Sequence, residues 1–102
     1  YMTDAIGAIS KLINSAPERL IHRNAFNITA MSFEPEQIKA AIQKELPDFE
    51  MTYAVDPARQ AIADSWPNQI DASCAKAEWD FEPQYDLEAM TKDMLAQLKT
   101  RI

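Results

Sequence analysis

The stretch DPARQAIADSWP, residues 56 to 67, gathers side chains suited to recognition chemistry. Arg59 offers a planar fork for a carboxylate or phosphate, Gln60 an amide, Asp64 a carboxylate, Ser65 a hydroxyl, and Trp66 a flat wall with one donor. Two readings of this set stand level. Either it binds a ligand, or Arg59 and Asp64 form an ion pair while Trp66 plugs a small core. Asp56, Asp64 and Asp71 are the carboxylates near enough in sequence for acid and base work. For Asp56 and Asp71 the favoured role is that of cap and turn former.

Other chemistries find little support. A nucleophilic triad needs a base beside Ser, Cys or Thr, and the only histidine, His22, sits in PERLIHRN as a surface or strand-edge residue. Cys74 is the only cysteine; it has no disulfide partner and no second soft ligand, so it reads as a small buried hydrophobe and no metal site is expected. The scattered acids lack the calcium-loop spacing and its central glycine. Gly7 is the only glycine, which excludes both the dinucleotide fingerprint and the P-loop from this chain. A net charge of −6 and a pI near 4.6 disfavour nucleic acid and anionic lipid as partners. No apolar run is long enough to span a bilayer and no signal segment opens the chain, so a cytoplasmic location is expected. Asn27, Ile28 and Thr29 spell a glycosylation acceptor, read as chance.

These residues must be positioned by a thin core, since 102 residues make one domain that buries only about 60 to 70 % of its unfolded surface. Ile6, Ile9 and Ile13, with Ala5 and Leu12 beside them, predict a helix after an Asp4 cap, running to about Asn14 before Pro17. Residues 24 to 29 read as a short strand covered on both faces. A second helix opens at Ser32 or Glu34, has Pro35 in its first turn, buries Ile38, Ala41, Ile42 and Leu46, and ends at Pro47. Phe49, Met51, Tyr53 and Val55 alternate with Glu50, Thr52 and Ala54 and predict a strand. Pro57 and Pro67 bracket an irregular excursion over residues 56 to 70. A short helix follows from Asp71 to Trp79, and Asp86 caps a last one carrying Leu87, Met90, Met94, Leu95, Leu98 and Ile102 at helical repeat. Glu88 and Lys92 lie on its wet face.

Two strands do not make a self-sufficient sheet. The expectation is therefore that neighbouring strands come from a missing remainder, or from a dimer that exchanges elements. Tyr1 leads into the first helix without a tail, as in a chain cut from a longer one.

The segments YMTDAI, FNITAMSFEPEQI, YAVDPARQAIADSWP, IDASCAKAEWDF and YDLEAMTKDML, in that order and spacing, resemble the C-terminal third of the L-threonine 3-dehydrogenases. These belong to the extended short-chain dehydrogenase/reductase family and are relatives of sugar-nucleotide epimerases. The likeness runs over essentially the whole chain, and RQAIADSWP is specific to this branch. Glu34 is a departure, standing where relatives often carry a threonine cap.

The resemblance implies an α/β fold, with residues 1 to 102 forming a C-terminal substrate-binding lobe of about four helices and two strands and the Rossmann cofactor domain lying outside the chain. It implies a parent enzyme that uses NAD to oxidise the 3-hydroxyl of L-threonine to 2-amino-3-oxobutanoate. The family's Tyr-x-x-x-Lys pair lies upstream: here Tyr1, Tyr53 and Tyr85 are followed four places on by Ala5, Pro57 and Ala89. The lobe alone should therefore neither bind NAD nor turn over. The expected substrate-side residues are Trp66, lining or closing the pocket, with Arg59 and Asp64 holding either ligand or loop. The expected partners are L-threonine and the N-terminal Rossmann domain, with strand-exchanged homo-oligomers possible. The alternatives are a portion of a sugar-nucleotide epimerase or dehydratase, and a free-standing acidic interaction module.

Overall fold

The computed structural model describes residues 1–101. Ile102, counted in the apolar stripe of the last helix, lies outside the described residues. Five α-helices follow one another: α1 (Met2–Ile13), α2 (Pro35–Glu45), α3 (Pro57–Asp64), α4 (Ser73–Trp79) and α5 (Leu87–Arg101), with a 3-10 turn at Pro17–Arg19 after α1.

The α/β expectation is overturned, because the described residues form no strand. A strand is defined by its ladder, and among the described residues neither 24 to 29 nor 49 to 55 pairs in a ladder with another segment. Phe26 instead turns into an aromatic cluster. Tyr53 leaves its segment to donate from its hydroxyl to Oε1 of Glu36 at 2.7 Å. The period-two pattern does not separate two faces along the segment, since Tyr53 and Val55 are exposed and only Phe49 and Met51 are half-buried.

The excursion expected to be irregular contains a helix, α3. Asp56 accepts from the backbone N–H of Ala58 and Arg59 at 3.0 and 3.3 Å. Pro57, whose fixed φ suits the first helical position, starts the helix rather than breaking it. Glu34 opens α2 with a backbone N–H to Gln37 Oε1 at 2.7 Å. Asp86 caps α5 by accepting from Ala89 N–H at 2.8 Å. Asp4 does not cap α1, whose cap is Tyr1. Buried in the first turn, it accepts the N–H of Gln84 and Tyr85 at 2.9 and 3.1 Å and ties the α4–α5 connection to α1.

The core is small and aromatic. Trp79 lies edge to Phe26 with centroids 5.7 Å apart and tilted against Phe81 at 5.5 Å, with Ala8 and Ala75 closing the cluster. Asp80 ends α4 with φ 56°, the left-handed turn that glycine usually supplies. Arg19 grips its carboxylate with two N–H donors at 2.6 and 3.1 Å. Separately, α2 packs on α5, burying Ala41 and Thr91.

What stays uncovered is as informative. Ile6, Ile9 and Ile13, the expected buried stripe of α1, are 61, 61 and 75 % exposed, because Asp4, Ala8 and Leu12 face the core instead. The radius of gyration is 17.1 Å, against about 13 Å for a compact chain of this length. Residues 52 to 71 are exposed throughout. The chain is an open arrangement of helices with a modest core and a large apolar surface.

Candidate functional site

Trp66 and Asp64 share a cleft of about 660 Å³ between the start of α2 and the end of α3. Phe33, Pro35, Trp66 and Pro67 provide apolar walls, and Glu34, Gln37, Gln60 and Asp64 supply polar groups. Local structure explains the arrangement. The Glu34 cap sets the start of α2, the Asp56 cap sets α3, and Ser65 ends α3 with its hydroxyl on the Ile62 carbonyl at 2.6 Å, so that Trp66 projects from the helix end.

Arg59 stands apart from that cleft. It lines a neighbouring depression with Tyr53, Val55 and Asp56, and its Nε lies 3.7 Å from Oδ2 of Asp56. Asp64 accepts from Gln60 Nε2 at 2.7 Å. The Arg59–Asp64 ion pair is thus replaced by two other contacts, and Trp66, 67 % exposed, plugs no core. Gln60, the amide of the recognition set, lines both depressions together with Ala63. The helical spacing of Gln60 and Asp64 could have revealed their contact had α3 been expected.

Asp71 accepts the Ser73 N–H at 2.8 Å. That backbone hydrogen bond is the main reason its carboxyl lies below the ordinary value of 3.8. A turn-forming role suits it.

Cys74, expected as a small buried hydrophobe, departs from expectation. Cys74 is exposed. His22 is a surface residue, yet its Nδ1 sits 2.6 Å from Oε2 of the buried Glu78. The other carboxylate oxygen accepts the backbone N–H of Ile21 and His22 at 2.6 and 2.8 Å. Burial pushes the Glu78 carboxyl up, but the hydrogen bonds from His22 and Ile21 together outweigh it and hold it low. Nothing local in the sequence pairs these residues, since they come from separate segments.

No family model matches the chain. It is 62 % identical, over 93 % of its length, to a Staphylococcus saprophyticus protein named as an uncharacterized epimerase/dehydratase, of which it spans 30 %. Its fold superposes with a TM-score of 0.92 on the X-ray structure of L-threonine dehydrogenase from Clostridium difficile, at 57 % identity over 99 % of this chain and 32 % of that one. The chain thus spans about a third of the length of each, a protein named as an epimerase/dehydratase and a solved L-threonine dehydrogenase. The L-threonine dehydrogenase from Phytophthora infestans gives a TM-score of 0.92 at 43 % identity, over 100 % of this chain and 33 % of that one. The likeness to these dehydrogenases covers essentially the whole chain, including the residues that line the Trp66 cleft and those of the aromatic core.

No helix among the described residues is long and apolar enough to cross a membrane.

Proposed function

We propose that this chain is the C-terminal, substrate-side lobe of an NAD-dependent L-threonine 3-dehydrogenase, inactive alone and completed by a cofactor-binding domain. The observation that carries this reading is the joint match in sequence and fold to the Clostridium difficile L-threonine dehydrogenase along 99 % of the chain. The open shape and the uncovered α1 stripe support a lobe that packs on something larger.

The chain does not fit NAD. Its single glycine, Gly7, lies inside α1 and opens onto empty space rather than a backbone cradle. In the parent, NAD supplies the hydride acceptor and is held by the other domain. This lobe contributes walls and orientation. Trp66 forms the apolar side of the pocket, while Asp64 and Glu34 place negative charge where the ammonium of an amino acid can lie. With Arg59 outside it, the cleft suits an ammonium better than the diphosphate of a sugar nucleotide.

The test is turnover by the full-length protein that contains this chain. L-threonine should reduce NAD with formation of 2-amino-3-oxobutanoate, and the 102-residue chain should do neither. Turnover of a UDP-sugar with threonine untouched would defeat the reading.

A further inference from the structure

Three metal-type donors converge on a face that the threonine reading leaves unused. One donor atom from each of His22, Cys74 and Glu78 lies within 4.8 Å of the other two. Cys74 and Glu78 are one helical turn apart on α4 and so share a face, while His22 reaches them from the segment after the 3-10 turn. None of the three lines the Trp66 cleft.

We propose that His22, Cys74 and Glu78 bind one divalent ion of the zinc class, with water completing a four-coordinate shell. A thiolate, an imidazole and a carboxylate are the donor mixture that suits such a borderline-soft ion, whereas calcium and magnesium take oxygen alone. Bond lengths of about 2.0 to 2.3 Å put the donors of a tetrahedral site roughly 3.3 to 3.7 Å apart. The 2.6 Å contact of His22 Nδ1 with Glu78 Oε2 therefore opens to admit the ion, while the 4.8 Å limit leaves about 1 Å to close at most. His22 and Cys74 are exposed and can rotate to close it, while Glu78 is buried and stays.

Glu78 is already oriented for this role. Its Oε1 keeps the two backbone N–H donors of Ile21 and His22, the outer support that metal-bound carboxylates receive. Its Oε2 exchanges the His22 contact for the ion. The Cys74 thiol gives up its proton to solvent as the sulfur–metal bond forms, and no electron changes hands. Bound metal then clamps the segment carrying His22 onto α4 and adds its binding energy to folding.

The experiment is a cobalt(II) titration of the whole polypeptide. The expected result is one ion per chain, with a near-ultraviolet thiolate charge-transfer band and strong visible bands of a tetrahedral site, both removed by added zinc. Cys74→Ser, whose fold is checked by far-ultraviolet circular dichroism, should lose the charge-transfer band. His22→Ala should weaken binding by about tenfold or more. Three results would overturn the proposal: no thiolate band in the unaltered chain, a band that His22→Ala leaves at full affinity, or only weak six-coordinate bands that persist in Cys74→Ser. The last would signify loose binding to surface carboxylates. Zinc should also raise the thermal midpoint of the unaltered chain and not that of Cys74→Ser, and equal rises in both count against the site.

Discussion

Asp64 is held by Gln60, whose Nε2 donates to Oδ1 at 2.7 Å one turn earlier on α3. The contact fixes a carboxylate at the edge of the Trp66 cleft without neutralising it, which leaves its charge available to a cation. Arg59, one residue before Gln60, points into a different depression and lies 3.7 Å from Asp56.

That division sets the first prediction. In the full-length protein, Trp66→Ala and Asp64→Asn should each raise the Michaelis constant for threonine by about tenfold, the worth of one lost contact of roughly 1.4 kcal/mol. Arg59→Ala should change it by less than about threefold. Steady-state kinetics with threonine varied at saturating NAD would decide it. An Arg59→Ala effect larger than that of Trp66→Ala would return the arginine to the binding role and favour a phosphate-bearing substrate.

The second prediction concerns Asp4. Buried, it satisfies the backbone N–H groups of Gln84 and Tyr85. Asp4→Ala strands both donors and should cost about 2 to 3 kcal/mol. Asp4→Asn keeps one acceptor oxygen and should cost about half as much. Denaturant unfolding of the full-length protein would read the difference, and equal losses for the two variants would refute the assignment.

How far such roles could be read from the sequence depended on how local they were. Asp56 and Asp86 were legible as caps because each caps the helix beside it, and the Glu34 start of α2 followed from Pro35 in the first turn. Asp4 was misassigned as a cap since its partners lie in a distant connection. The spacing of Ile6, Ile9 and Ile13 correctly announced an apolar helix face but carried no information on what would cover it. Alternation over residues 49 to 55 likewise carried no information on a ladder, for which the described residues provide no pairing segment. Trp66 and Asp64 were selected by residue type and by the family resemblance, and the structure brings both to one cleft while leaving Arg59 outside it. The His22–Glu78 contact had no sequence signature, because chain folding alone brings it about.

A third prediction follows from the core. Trp79 is 2 % exposed between Phe26 and Phe81, yet its indole N–H finds no partner among the described residues. Trp79→Ala removes the ring and should cost about 3 to 5 kcal/mol. Trp79→Phe keeps most of the aromatic contact and removes a buried unpaired donor, so its cost should fall well below that of alanine. Chemical denaturation of both variants measures the ordering.

A fourth concerns acid. The folded state holds the Asp71 carboxyl below its ordinary 3.8, chiefly through the Ser73 N–H. A depressed carboxylate contributes stability that is present above the ordinary value and is lost as pH falls through the folded one. Asp71→Asn should therefore be less stable than the unaltered chain near neutrality. The gap should narrow below about pH 4. A gap that stays constant across that window would mean that charge at Asp71 plays no part.

The last prediction tests the uncovered face of α1. Ile6, Ile9 and Ile13 lie on one side of that helix and are mostly exposed, and full burial of each would contribute about 1.5 to 3 kcal/mol. A contiguous apolar stripe of this kind drives association when nothing covers it. The 102-residue chain should self-associate with rising concentration, and replacing the three isoleucines with glutamine should shift it toward monomer while α1 remains helical. In the full-length protein, where the proposed cofactor domain would cover the stripe, the same replacement should lower the thermal midpoint instead. Sedimentation velocity on the chain and thermal unfolding of the full-length protein separate these effects. A monodisperse monomer at every concentration, with no loss of stability in the full-length variant, would show that the stripe is ordinary surface and would favour a free-standing module over a lobe.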